Sequence, residues 1–205
     1  SLIWYHFVAR TFMRKVRIVP RSPKAGEFIK QFGLKATSNF IGHGVDGNIF
    51  HLQKEKKNFF IVIAHLDKGK NVMSILLLYQ KFIKRYPNEL YSLYIIGEGE
   101  ESERLQEYVR TNQLNKQIFF LGKMPQKELC KYLGNSVCML CNSIKEMNTL
   151  SIGEAVVAGT PVLTNTVPYN YECVRENKLG IARDNWTEED MYEIVMNNTY
   201  YVDNC

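Results

Sequence analysis

No stretch of this sequence approaches the roughly 18 consecutive apolar residues that a helix needs to cross a bilayer. That absence argues against a membrane-spanning chain. Nor is there a long block of one charge: 26 basic residues stand against 21 acidic ones, and the net +5 is spread along the chain. So mild and dispersed a charge identifies no anionic partner, and nucleic acid is not expected among the partners. Cysteine is scarce, and five residues, an odd number, do not suggest a disulfide framework. Cys138 and Cys141 spell C-x-x-C, but no second C-x-x-C or histidine pair completes a metal set. The surrounding "SVCMLCNS" reads as a buried strand, in which side chains three apart point to opposite faces. No metal is expected, and unpaired thiols suit a reducing, cytoplasmic setting. Internal repeats, low-complexity segments and the cleavage pattern of a secretory signal are missing too. The opening "SLIWYHFVARTFMRK" is apolar, aromatic and basic, but His6 and Arg10 interrupt it. A packed helix is favoured there over an interfacial anchor.

What is present is an ordinary globular composition, 45% apolar and 23% charged, on 205 residues. That length suffices for one sizeable core, or for one domain and a piece of another. From residue 58 onward, short apolar runs alternate with segments of helical periodicity. The strands expected are "NFFIVIAHL", "YSLYIIG", "QIFFLG", "SVCMLCN", "PVLTN" and "LGIAR". The helices are "NVMSILLLYQKFIKRYP", "ESERLQEYVRTNQL", "PQKELCKYLGN", "LSIGEAVVAG", "PYNYECVREN" and "TEEDMYEIVMNNTYY". Continuous apolar strands alternating with helices imply a parallel sheet covered on both faces. The fold expected is therefore α/β, a doubly wound, Rossmann-like sheet. Ligands of such sheets lie beyond the strand C-termini. The loops to inspect are 65–71, 97–101, 122–125, 142–150 and 165–172. Residues 1–51 differ, reading as one β-α-β unit with an extra helix before it, the tail of a preceding domain; residues 52–205 form the second domain.

Three loops carry candidate chemistry. In "KEMNTLSIGEAVVAGTPVLTN", residues 145–165, Glu146 and Glu154 flank seven residues. Ser151-Ile-Gly-Glu154 fits a capping box, which alone would account for Glu154. Gly159 and Pro161 are placed to end the helix. Glu146 has no such local explanation, and the helix N-terminus beside it is a natural seat for phosphate. "IIGEGEES" supplies Gly97 and Gly99 but lacks the third glycine of a dinucleotide fingerprint, so an NAD reading is rejected. "AHLDKGKNV" places His65, Lys68 and Lys70 on the first loop of the domain, where a cation can neutralise a departing diphosphate.

Together these pieces resemble the C-terminal half of GT-B glycosyltransferases, in particular the retaining enzymes of glycosyltransferase family 4 (group 1). The resemblance runs from about residue 16 to the end. Its most specific part is "EMNTLSIGEAVVAGTPV", similar to the family's Glu-seven-residues-Glu motif. "GHGVDGNIF", "HLDKGKNV", "YIIGEGEESERL" and "IFFLGKMPQKEL" resemble four further motifs in the family's order. The resemblance implies transfer of a sugar, with retention, from a nucleotide-diphospho-sugar. The acceptor would be a glycan or lipid-linked, in surface polysaccharide or glycolipid biosynthesis, with no metal or other cofactor. It implies that Glu146 and Lys70 are catalytic, meeting the sugar hydroxyls and the diphosphate. Glu154 would hold the ribose, and the backbone near Thr149 and Leu150 would help bind phosphate. Gly97, Lys123 and Met124 would border the base, with His65 in the place of the family's arginine. Such an enzyme uses an N-terminal domain for its acceptor, so the chain is expected to be a donor-binding fragment, inactive by itself. The full-length enzyme is expected in the cytoplasm, with peripheral association at the inner face of the membrane. His65 for arginine, His43 for asparagine and the glycine-free "EMNTL" depart from the family pattern. They motivate a non-catalytic binding or scaffold subunit as the alternative, with a nucleotide-sugar epimerase as a further one.

Overall fold

A computed structural model describes residues 11, 16, 18–20, 22–31, 33–39, 44–146 and 149–205. The chain divides into two units, residues 1–44 and residues 45–205. In the smaller, α1 (Pro23–Gln31) begins with proline at its first position, where a missing N–H is harmless. The Ser22 hydroxyl caps it by accepting the Ala25 N–H at 3.1 Å. Ile18 and Ala36 form an isolated parallel bridge on either side of α1. The N-terminal helix expected over the first 15 residues falls almost wholly outside the described residues, as does His43.

The larger unit opens with a turn in which Asp46 accepts the Asn48 N–H at 2.9 Å, an Asx turn. Phe50 follows, 1% exposed, in the core of this unit. The elements then alternate as the apolar runs dictate. They are β1 (Lys57–Ile63), α2 (Val72–Arg85), β2 (Ser92–Ile96), α3 (Ser102–Thr111), β3 (Ile118–Gly122), α4 (Gln126–Asn135) and β4 (Ser136–Cys141). After them come α5 (Leu150–Val157), β5 (Val162–Thr164), α6 (Tyr171–Glu176), β6 (Gly180–Ala182), α7 (Glu188–Met196) and α8 (Asn198–Asn204). The final helical segment, expected as one helix, is two: α7 ends and α8 begins at Asn197. Asn198 anchors the break by donating to the Val137 carbonyl at 2.7 Å.

All six strands are parallel, in the order β3-β2-β1-β4-β5-β6. Alternate side chains feed two cores. Phe60 and Val62 of β1, with Cys138 and Leu140 of β4, meet α2, α3, α7 and α8 on one face. Phe59 and Ile61, with Met139 and Cys141, meet α4, α5 and α6 on the other. Cys138 and Cys141 thus lie on opposite faces of the sheet, both buried and both free. In α2 the buried residues Val72, Ile75, Leu76, Tyr79 and Phe82 recur at helical spacing and form one stripe. The chain runs outward from β1 through β2 to β3, then returns to place β4 on the other side of β1. The C-terminal ends of β1 and β4 therefore form the switch point of the sheet, the place where open α/β sheets take their ligands.

Candidate functional site at the strand switch point

The loop leaving β1 is held on one side by the loop leaving β2. Ala64 donates to the Ile96 carbonyl at 3.1 Å, Leu66 to Glu98 at 2.9 Å, and Glu101 to Leu66 at 2.9 Å. This close approach requires glycine. Gly97 has φ +135°, and a Cβ there would lie 1.8 Å from the Ala64 carbonyl oxygen. At Gly99 a Cβ would meet the Leu66 carbonyl oxygen at 2.4 Å. The glycine pair thus has a full explanation in backbone packing.

On its other side the β1 loop meets the loop leaving β4. Ile144 donates to the Gly69 carbonyl at 2.8 Å, and the Lys70 ammonium pairs with the Glu146 carboxylate. Glu146, without a local explanation in the sequence, is placed by a residue 76 positions earlier. Asp67 orders the base of this lysine by accepting the Lys70 N–H at 3.0 Å. A narrow cleft at the ends of β1 and β4 is lined by Lys70, Asn142, Ser143 and Thr149. Lys70 and Glu146 are each mostly buried, with side-chain exposures of 25% and 13%. Their attraction is accordingly less screened than that of a surface pair.

Asparagines stabilise the cleft. Asn142 follows β4 and donates to the Ser74 hydroxyl of α2 at 2.8 Å. Asn165 follows β5 and donates to Asn142 at 3.1 Å and to the Ser143 carbonyl at 2.7 Å. Sequence reasoning missed all of these side chains. The available signal was an asparagine directly after each of two buried strands, where a polar residue on a crevice wall is expected to bond its neighbours.

The N-terminus of α5 corrects one expectation. The helix begins at Leu150 with Thr149 as N-cap, so Ser151 lies within its first turn and Glu154 is its fifth residue. Ser151 and Glu154 form no capping box; the Ser151 hydroxyl donates instead to the Ile63 carbonyl at 3.5 Å. A true capping box stands at α7, where Thr187 and Asp190 cap reciprocally. Glu154 is 5% exposed and receives one hydrogen bond, from the Gln126 amide at 3.4 Å. Burial pushes its carboxyl above the usual range, and the Gln126 contact only partly opposes that. The Thr149 hydroxyl is buried, with no hydrogen-bond partner among the described residues. At the other end of α5, Gly159 adopts φ +75° and Thr160 closes on the Ala155 carbonyl at 2.8 Å, the expected glycine stop before Pro161.

The remaining candidates lie around this centre. The Lys123 N–H faces Glu98 at 3.5 Å, and Met124 packs at the edge of the core shared with α4 and α5. Leu150 is 38% exposed at the mouth of α5. His65 is exposed. Met147 and Asn148, in the glycine-free part of the β4 loop, lie outside the described residues. Among the described residues no cluster of metal-ligating side chains occurs, and no helix is long and apolar enough to cross a membrane.

An open parallel sheet with a charged cleft at its switch point defines an α/β domain of the kind that takes its ligand beyond the strand ends. Residues 28–196 match the family described as glycosyl transferases group 1, and the chain belongs to that family. An uncharacterized glycosyltransferase of Methanocaldococcus jannaschii is 29% identical over 119 residues, covering 55% of this chain and 28% of that protein. The alpha-monoglucosyldiacylglycerol synthase of Streptococcus pneumoniae is 21% identical over 168 residues, 80% of this chain and 35% of the synthase. The chain thus spans about a third of these relatives. Two solved structures show the same fold. The C-terminal domain of a glycosyl transferase group 1 family protein from Francisella tularensis has a TM-score of 0.65 at 19% identity, covering 78% of this chain and 94% of that one. HepE of Anabaena in complex with UDP has a TM-score of 0.76 at 15% identity, covering 97% and 60%. The fold is the Rossmann-like C-terminal half of the GT-B architecture.

Proposed function

We propose that residues 45–205 bind the nucleotide-diphospho-sugar donor of a retaining glycosyltransferase of family 4. The observation that carries this reading is the Lys70–Glu146 pair, set across the switch point beside the N-terminus of α5. Lys70 and the α5 N-terminus together offer positive charge to a diphosphate without calling for a metal. Glu146 is within reach of the sugar attached to that diphosphate. Glu154 has unused acceptor capacity in a buried position, suited to the two hydroxyls of a ribose. The glycine-lined backbone at Gly97 and the Lys123–Met124 segment border the base, and His65 stands at the rim. HepE, similar in fold, was solved with UDP bound, which supports a nucleotide diphosphate as the ligand class.

In this reading the bond between the sugar C1 and the diphosphate oxygen breaks, and the nucleoside diphosphate leaves with the electron pair. An acceptor hydroxyl forms the new C1–O bond on the same face, and its proton passes to the departing phosphate oxygen. Lys70 stabilises the charge that accumulates on that oxygen. A glycan or lipid-linked acceptor would be held by an N-terminal domain of the whole protein, with residues 1–44 as its last β-α-β piece. The alpha-monoglucosyldiacylglycerol synthase similarity favours a glycolipid or surface-polysaccharide product made at the cytoplasmic face of a membrane.

Thermal denaturation with UDP, GDP and ADP tests the donor reading. One nucleotide is expected to raise Tm as ligand linkage requires, by about 2.7 kcal/mol of stability at a hundredfold excess over Kd. Glu154→Ala is expected to remove that rise while the variant still unfolds cooperatively. No shift with any of the three would refute the reading.

A further inference from the structure

Thr149 is the N-cap residue of α5, yet its hydroxyl makes no cap bond. Its backbone is held from another loop. The Asn170 carboxamide accepts the Thr149 N–H at 3.4 Å and donates to the Thr149 carbonyl at 2.9 Å. One side chain thus pairs with both polar groups of one residue, as a neighbouring strand would. Asn170 lies 21 residues further along the chain, on the loop that leaves β5, and is itself the N-cap residue of α6. The Thr149 carbonyl also receives the Ile152 N–H at 3.2 Å, inside the first turn of α5.

The consequence concerns which donors α5 has left. A helix N-terminus presents several N–H groups without helical partners. Here the Thr149 N–H is taken by Asn170 and the Ile152 N–H by Thr149. The N–H groups of Leu150 and Ser151 remain without a partner among the described residues, as does the buried Thr149 hydroxyl. That hydroxyl shares its cleft with Lys70. We propose that Asn170 is a positioning residue for the diphosphate seat. By fixing the Thr149 peptide, it commits the Thr149 hydroxyl and the Leu150 and Ser151 N–H groups to the phosphate farther from the nucleoside. This inference rests on the donor reading above. It adds a residue from the β5 loop that touches no ligand and acts through Thr149.

The readout is the preference for UDP over UMP, which differ by that one phosphate, measured by titration calorimetry on the full chain. Wild type is expected to prefer UDP, and Asn170→Ala to reduce the preference about tenfold, the order expected when charge-assisted hydrogen bonds lose their geometry. UMP affinity is expected to stay within about twofold, since the nucleoside contacts lie elsewhere. Asn170→Asp keeps the acceptor but not the donor, so it is expected to lower the preference as well, aided by repulsion of the phosphate. An unchanged preference in both variants would overturn the proposal. So would equal weakening of UDP and UMP with a lowered Tm, which would make Asn170 merely structural. A wild-type chain that binds neither nucleotide would overturn the donor reading itself, an outcome distinguishable from the other two.

Discussion

A carboxylate buried in the second turn of a helix, with one neutral amide beside it, is unfavourable to hold ionised unless a ligand makes use of it. Glu154 is in that position, and burial raises its carboxyl above the ordinary value of 4.5. The folded chain then holds this proton more tightly than the unfolded chain does. Its stabilising contribution is complete below 4.5 and is lost as pH rises through the higher folded value. Glu154→Gln is therefore expected to raise Tm at neutral pH and to flatten its decline above pH 4.5, while weakening nucleotide binding. Denaturation scans from pH 4 to 8 check both effects; a Tm lowered at neutral pH would show that the carboxylate is structurally required. Glu146 is the opposite case, an acid satisfied by Lys70. The sequence suggested the reverse assignment, because a capping box is read from four consecutive residues whereas an ion pair with a residue 76 positions away is not. Asn142, Asn165 and Asn170 escaped notice for the same reason. Their partners lie on α2 and on other loops, far away in sequence, and the position of Asn142 and Asn165 directly after a buried strand is the one local sign of them.

At the scale of elements, each strand and helix expected from residue 58 onward is present, with ends shifted by a few residues. Apolar periodicity carries that information along the chain, and Asn197 shows where it stops: the run 187–201 keeps its periodicity across a break between two helices. The Gly97 loop shows what a motif alone leaves open, since its glycines are explained by the approach of the Ala64 and Leu66 backbone, in the loop leaving β1, with or without a nucleotide. Gly97→Ala combines a positive φ with a backbone clash, and about 3 kcal/mol or more of stability is expected to be lost. Urea unfolding measures this, and a loss under about 1 kcal/mol would mean that the two loops can separate cheaply. The strand carrying the C-x-x-C pair yields a chemical test. Cys138 and Cys141 are buried on opposite faces while Cys173 is exposed. A thiol reagent is expected to label Cys173 in the native protein and Cys138 and Cys141 only after unfolding, as mass spectrometry of the labelled peptides would show. Rapid native labelling of Cys138 would contradict the strand placement.

For the molecule as a whole, alternation of strand and helix implied a doubly wound parallel sheet, but not the lateral order of its strands. Order depends on which way each crossover turns, and no short stretch encodes it. Yet the order β3-β2-β1-β4-β5-β6 is what brings the loops after β1 and β4 together. Residues spaced far apart, Lys70 with Glu146 and Thr149, become one site for that reason. The family match names glycosyl transfer as the chemistry of the group, and the chain spans about a third of the curated relatives it matches. The most direct measurement is calorimetric titration of UDP into the wild-type chain and into Lys70→Met. The expected result is saturable one-to-one binding by wild type, weakened at least about tenfold in the variant by loss of a buried phosphate contact. Equal affinity in the two proteins, or no binding to either, would contradict a diphosphate seat at the switch point.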